Sequence, residues 1–288
     1  MSQRRFGHPA PKGAGLELFQ APRHQPFLWP GGAAAALLIH GFPGTPAEMR
    51  PVAELLQPMG WTVQGLLLPG FGAELANPRE PRYEEWLAVT IQALTALRSG
   101  QRPVMLVGYS MGGALALSAA ALSPADGIIL LAPFVLDQLW PYSTIAEIAG
   151  RLLLPDLRPF RRADPASPQP RADLFGLLRG IDPDDFETRQ ALREAGMPLS
   201  LLGQVARAGW QAYLHAPEVR VPALVVQGRH DEAARAWRTR ALVARLAGKV
   251  RVLEVEAGHR LIGPANLAWP TVQEAIMGFA ARLEEGQS

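Results

Sequence analysis

The chain has 288 residues, 48% hydrophobic and 19% charged, with 28 basic and 26 acidic side chains giving a net charge of +2. Two lysines (Lys12, Lys249) and no cysteine leave few groups to titrate above neutrality, so a small excess of arginine carries the isoelectric point to about 9.3; it does not indicate a nucleic-acid partner. The absence of cysteine excludes disulfides, thiolate nucleophiles and Cys-ligated metals, and the length suits one large domain or one domain with an insertion.

Residues 1–25 are rich in Pro, Gly and Arg and are expected to form a tail or an edge segment. The opening MSQRRFGHPAPKGAG has two arginines with no apolar stretch behind them, unlike a signal peptide, and no apolar run is long enough to span a membrane. A cytoplasmic protein without stable membrane insertion is the expectation. The first buried-strand pattern is AAAALLI (33–39), followed by IHGFPGT (39–45). Thr45-Pro46-Ala47-Glu48 then reads as a capping box with proline at the first helical position, and Met49, Val52, Leu55, Leu56 and Met59 share one helical face. Further strands are expected at 63–68, 103–108, 127–132, 223–228 and 250–255, with helices over 83–98, 111–122, 232–247 and 270–284.

Strands buried on both faces and alternating with helices predict an α/β fold with a mostly parallel sheet flanked by helices. The alternation breaks once. Between 135 and 198 no strand pattern occurs and Pro and Arg crowd together, while apolar groups such as Phe160, Leu174 and Phe186 recur. This segment reads as an inserted helical cap, with short helices at 143–154 and 184–195, between core segments 26–134 and 199–288. A disordered linker is the alternative.

The chemistry begins at Gly108-Tyr-Ser110-Met-Gly112, which lies between a buried strand and an alanine-rich helix. In that setting G-x-S-x-G is a nucleophile elbow: the turn is so tight that the positions two before and two after the serine must lack side chains. It lifts the Ser110 hydroxyl above the sheet at a helix N-terminus, where negative charge is favoured. A serine nucleophile needs a base and a group to orient that base. Of six histidines, His259 follows the last strand, where a loop brings it to the sheet's carboxyl edge. His40 suits loop shaping, His8 and His24 lie in the tail, His215 ends a helix, and His230 precedes the acid. Asp231, just after the penultimate strand, is the expected acid, although an aspartate there can serve only as a helix cap. Asp137 is its rival. An acyl-transfer oxyanion also needs two fixed N–H donors. Met111, after the nucleophile, and Phe42, after the first strand, would supply them from their backbones.

With HGFPGTPAEMRPVAELL, GYSMGG, QGRHD and the Ala257-Gly258-His259 tripeptide, the chain resembles the α/β-hydrolase superfamily, and within it bacterial carboxylesterases and monoacylglycerol-lipase-like serine hydrolases. The resemblance implies Ser110 as nucleophile, His259 as base, Asp231 as acid, Phe42 and Met111 as oxyanion donors, and 135–198 as a lid or cap. Two departures stand out: Gly70-Phe71-Gly72 replaces the Gly-His-Gly of many relatives, and Asp231 is followed by Glu-Ala-Ala rather than by an apolar residue and proline.

The expected activity is hydrolysis of carboxylic esters of short to medium acyl chains through an acyl-enzyme. The substrate would be a small ester with an apolar acyl group, which Phe42, Trp140 and Tyr142 could receive. No cofactor or metal is implied, since H-E-x-x-H, P-loop and G-x-G-x-x-G patterns are missing. A thioesterase or amidase would use the same residues. A receptor or scaffold with vestigial hydrolysis is the alternative outside enzymes.

Overall fold

Every apolar run expected as a strand is one, and each sits beside a parallel neighbour. The computed structural model describes residues 18–76, 81–136 and 199–286. Its strands are β1 (Phe27–Trp29), β2 (Ala35–Ile39), β3 (Thr62–Leu66), β4 (Val104–Tyr109), β5 (Gly127–Leu131), β6 (Ala223–Gly228) and β7 (Val250–Val255). They form one seven-stranded sheet in the order β1-β3-β2-β4-β5-β6-β7. All pairings are parallel except β1 against β3. β2 and β4, at the centre, are buried throughout.

The helices are α1 (Arg50–Leu56), α2 (Tyr83–Arg98), α3 (Met111–Leu122), α4 (Leu199–His215), α5 (Ala236–Val243) and α6 (Trp269–Glu284). Side-chain alternation along the strands divides the core into two layers. Leu37, Ile39, Val104 and Leu106 face α2, α3 and α4, whereas Leu38, Met105, Val107 and Tyr109 face α1 and α6. Burial on both faces explains why the central strands read as unbroken apolar runs.

Three local features differ from the sequence expectation. β1 was not anticipated: three residues before Pro30-Gly31-Gly32 give no periodicity to read. Its Phe27 ring lies over Gly65 of β3, where a Cβ would come within 2.2 Å, and the Arg50 guanidinium stacks on that ring at 4.6 Å from its centroid. The capping box does not form either. Pro46–Glu48 is a 3-10 turn without a side-chain cap from Thr45, and α1 starts at Arg50. Met49, Val52 and Leu56 are nonetheless fully buried, as their spacing predicts. Finally, α5 covers Ala236–Val243 rather than 232–247, because the Asp231 carboxylate binds the N–H groups of Ala233 and Ala234 and holds that stretch as a loop.

Residues 18–25 form an edge segment of two short 3-10 turns. His24 is fully buried there and bonds Thr45 Oγ1 at 2.8 Å, while Arg50 donates to the carbonyls of Pro22 and Arg23. Residues 1–17, Asp137, Trp140, Tyr142 and nearly all of the expected cap, with its helices at 143–154 and 184–195, lie outside the described residues. Among the described residues, no helix is long and apolar enough to cross a membrane.

Candidate active site

Ser110 stands between β4 and α3 with φ 53° and ψ −117°, a left-handed conformation that costs a non-glycine residue of order 1–3 kcal/mol unless its surroundings enforce it. They do so from both sides. The Ser110 N–H donates to Leu131 O at 2.9 Å, and Phe134 N–H donates to Ser110 O at 3.0 Å. Between them Ala132, at φ 44°, turns the chain so that both bonds can form. The flanking glycines are required by contact: a Cβ on Gly108 would lie 2.1 Å from Gly112 O, and one on Gly112 would lie 2.2 Å from Ile39 O. Ser110 is 6% exposed, and α3 points its N-terminus at the hydroxyl.

His259 and Asp231 arrive on the loops after β7 and β6. His259 Nε2 is 3.0 Å from Ser110 Oγ, and His259 Nδ1 is 2.8 Å from Asp231 Oδ2. A carboxylate can only accept here, so Nδ1 carries the proton and Nε2 is left as the acceptor for the serine hydroxyl. The Asp231 side chain is fully buried and the imidazole is 26% exposed. Asp231 does not cap α5, which starts at Ala236 behind Arg235; its two oxygens divide between the loop that precedes the helix and His259. Oδ1 accepts from Ala233 and Ala234 N–H at 2.9 and 2.7 Å, as a loop cap would, and Oδ2 faces His259.

The spacing of the two loops is set by an extension of the β6–β7 pairing. Arg229 N–H donates to Val255 O, and His230 N–H to Ala257 O. Outside, Glu256 pairs with Arg229 and with His230 Nε2. The His230 side chain is 72% exposed there.

Three contributors were not assigned to the site from the sequence. Gln227 is buried and donates from Nε2 to Asp231 Oδ2, Gly228 O and Ala234 O, while its Oε1 accepts from Thr239 Oγ1 at 2.6 Å. A glutamine ending the otherwise apolar ALVVQG strand was the available signal. Tyr109, next to Ser110, donates its phenol to His259 O. Glu48, read as part of a helix cap, accepts Gly41 N–H.

Met111 follows the serine directly, and Phe42 follows Gly41, which lies against it. Met111 opens α3 and is fully buried, and Gly41 is so close that a Cβ on it would lie 3.1 Å from Ser110 Cβ. His40 shapes this loop, as expected. It lies 2.8 Å from Gly41 O through Nδ1, and its Nε2 accepts Leu68 N–H at 3.2 Å. Those partners fix the neutral tautomer, and burial pushes its pKa down to about 4. Phe71 is fully buried between the rings of His40, Phe42 and Trp86. Phe71 thus sets an aromatic ring edge-on against Phe42.

The profile of a family described as serine aminopeptidase, S33, matches residues 32–263. A thermostable monoacylglycerol lipase from Bacillus sp. (strain H-257) is 34% identical over 100 residues, which span 35% of this chain and 40% of the lipase. A carboxylesterase from Bacillus subtilis (strain 168) is 24% identical over 72% of this chain and 76% of its own length. Among solved structures, the monoacylglycerol lipase of Paleococcus ferrophilus superposes with a TM-score of 0.70 at 19% identity, over 90% of this chain and 98% of that one. Mouse alpha/beta hydrolase domain-containing protein 10 does so with a TM-score of 0.59 at 19% identity, over 90% of this chain and 92% of that one. At these identities the superpositions show the fold, which is that of the α/β-hydrolases.

Proposed function

The chain belongs to the serine aminopeptidase S33 family of α/β-hydrolases, and from that premise we propose that it cleaves carboxylic esters of short to medium acyl chains through an acyl-enzyme formed on Ser110. The observation that carries this reading is the continuous relay from Ser110 Oγ through both nitrogens of His259 to Asp231, with contacts of 3.0 and 2.8 Å.

In the first step Ser110 Oγ attacks the ester carbonyl as its proton passes to His259 Nε2. The carbonyl oxygen becomes an oxyanion facing the main-chain N–H groups of Phe42 and Met111 at the positive end of α3. Collapse expels the alcohol, which takes its proton from His259. A water then repeats the sequence with the imidazole as base, releasing the acid and restoring Ser110. Asp231 stays ionised throughout, holding the tautomer and stabilising the imidazolium. Its lone pairs are already engaged by Ala233, Ala234 and Gln227, so it has no freedom to turn away.

The experiment is hydrolysis of p-nitrophenyl esters from acetate to palmitate beside Ser110→Ala. A maximum at short or medium chains that disappears in the variant supports the reading; variant-insensitive turnover removes Ser110 from the role. The family's description names an aminopeptidase, whereas the matched relatives are named as a lipase and an esterase. A p-nitroanilide and a thioester of the same acyl group therefore belong in the assay. Preference for either would move the substrate class while leaving the residues in place.

A further inference from the structure

The loop after β2 wraps around a buried carboxylate. Glu48 is only 8% exposed, and its Oε2 accepts the main-chain N–H of Gly41 at 2.9 Å. Gly44 N–H donates to Gly41 O at 2.9 Å and closes the loop into a turn with the carboxylate against it. A Cβ on Gly44 would stand 2.2 Å from Glu48 Oε2 and 2.6 Å from its carboxyl carbon.

These bonds hold both peptide planes that flank Gly41. The plane before it is held through the Gly41 N–H by Glu48. The plane after it is held through the Gly41 carbonyl by Gly44 N–H and His40 Nδ1. That second plane carries the Phe42 N–H, which points opposite to the carbonyl because the peptide unit is rigid. Gly41 itself, lacking a Cβ, offers little resistance to rotation between the two planes. It also lies against Ser110, so a small rotation there would swing the Phe42 N–H relative to the nucleophile.

We propose that Glu48 is a positioning residue for the oxyanion site: by anchoring the Gly41 N–H inside the turn, its carboxylate fixes the direction of the Phe42 N–H. This rests on the role proposed above for Phe42. The requirement is an acceptor at this place, and its loss misaims a donor without removing one.

The test compares Glu48→Ala, Glu48→Gln and Gly44→Ala, each first checked for folding by thermal melting. Glu48→Ala lowers kcat roughly 10- to 100-fold, within the range that misplacing an oxyanion donor costs, and changes KM less than about threefold. Glu48→Gln keeps kcat within about threefold, because its amide oxygen can accept the same N–H. Gly44→Ala pushes only the mobile end of the Glu48 side chain away and reproduces the Glu48→Ala loss. The Ki of a trifluoromethyl ketone, whose adduct carries the oxyanion, rises in proportion to each loss of kcat; a merely structural role would not link the two. Unchanged kcat in a folded Glu48→Ala or Gly44→Ala protein overturns the proposal, as does Glu48→Gln falling as far as alanine. If Glu48→Ala does not fold, Gly44→Ala decides alone. Ser110→Ala in the same assay separates the levels: turnover surviving it rejects the serine reading, whereas a dead Ser110→Ala beside unchanged Glu48 and Gly44 variants rejects the Glu48 role only.

Discussion

Tyr109 holds His259 in two ways: its phenol donates to the main-chain carbonyl of His259 at 3.2 Å, and its ring lies 5.3 Å from the imidazole at a 34° tilt. Tyr109 immediately precedes Ser110, so the residue that ends β4 ties the serine's own strand to the loop carrying the histidine. Removing the hydroxyl in Tyr109→Phe deletes one hydrogen bond worth about 1 kcal/mol and leaves the ring contact. The expected result is a loss of kcat/KM of about three- to tenfold with p-nitrophenyl butyrate, and a larger loss in Tyr109→Ala. Equal rates for the wild type and Tyr109→Phe would show that the loop holds His259 without this bond.

Asp231→Asn tests the acid. Every partner of the carboxylate is a donor: Ala233 and Ala234 N–H, Gln227 Nε2 and His259 Nδ1. An asparagine NH2 must therefore face a donor whichever way it turns, and the arrangement best for His259 flips its tautomer. The rate is expected to fall about 10³- to 10⁴-fold while the far-ultraviolet circular dichroism is unchanged. Asp137→Asn should stay within about threefold of wild type. The opposite ranking would transfer the acid role to Asp137.

What the sequence made legible follows from how locally each feature is encoded. The central strands, α2 and α3 were readable because burial on both faces and helical periodicity are written in consecutive residues. The serine, histidine and aspartate were readable because each sits at a strand end, and strand ends in a parallel sheet share one edge. β1, Gln227, Tyr109 and Glu48 were not, because their significance lies in partners far along the chain. Thr45-x-x-Glu48 has the spacing of a capping box, yet Thr45 bonds His24 and Glu48 bonds Gly41. Tertiary partners outcompeted the local cap.

Two alanine substitutions should have opposite signs. In Gly112→Ala the new Cβ would meet Ile39 O at 2.2 Å and His40 O at 2.5 Å, and main-chain atoms cannot swing aside. About 2–4 kcal/mol of stability should be lost, with activity, since the displaced strand end leads into the Phe42 turn. In Gly278→Ala, inside α6, the nearest atom to the new Cβ is the flexible end of Arg282 at 3.4 Å. Relief of backbone entropy there should add roughly 0.5–1 kcal/mol and leave the rate untouched. Urea midpoints of the two variants provide the check, and destabilisation by Gly278→Ala would contradict the open space around it.

Stability should fall with acidification because two histidines fold in their neutral form. Burial lowers the pKa of His40 from 6.5 to about 4. Burial, with Arg23 and Arg50 nearby, lowers that of His24 by the same amount. Between pH 6.5 and 4 the unfolded chain therefore binds more protons than the folded one, so unfolding becomes easier as pH drops through this window. The stability contributed by each neutral histidine is fully present above pH 6.5, and about 2 kcal/mol of it is gone by pH 5. Urea unfolding at pH 7.5, 6 and 5 should reveal this loss in the wild type. His24→Asn can still donate to Thr45 Oγ1 from its amide but cannot be protonated, so it should remove about half of the pH dependence. A wild-type midpoint unchanged from pH 7.5 to 5 would mean that His24 and His40 accept protons in the folded state, at odds with their buried, tautomer-fixed hydrogen bonds.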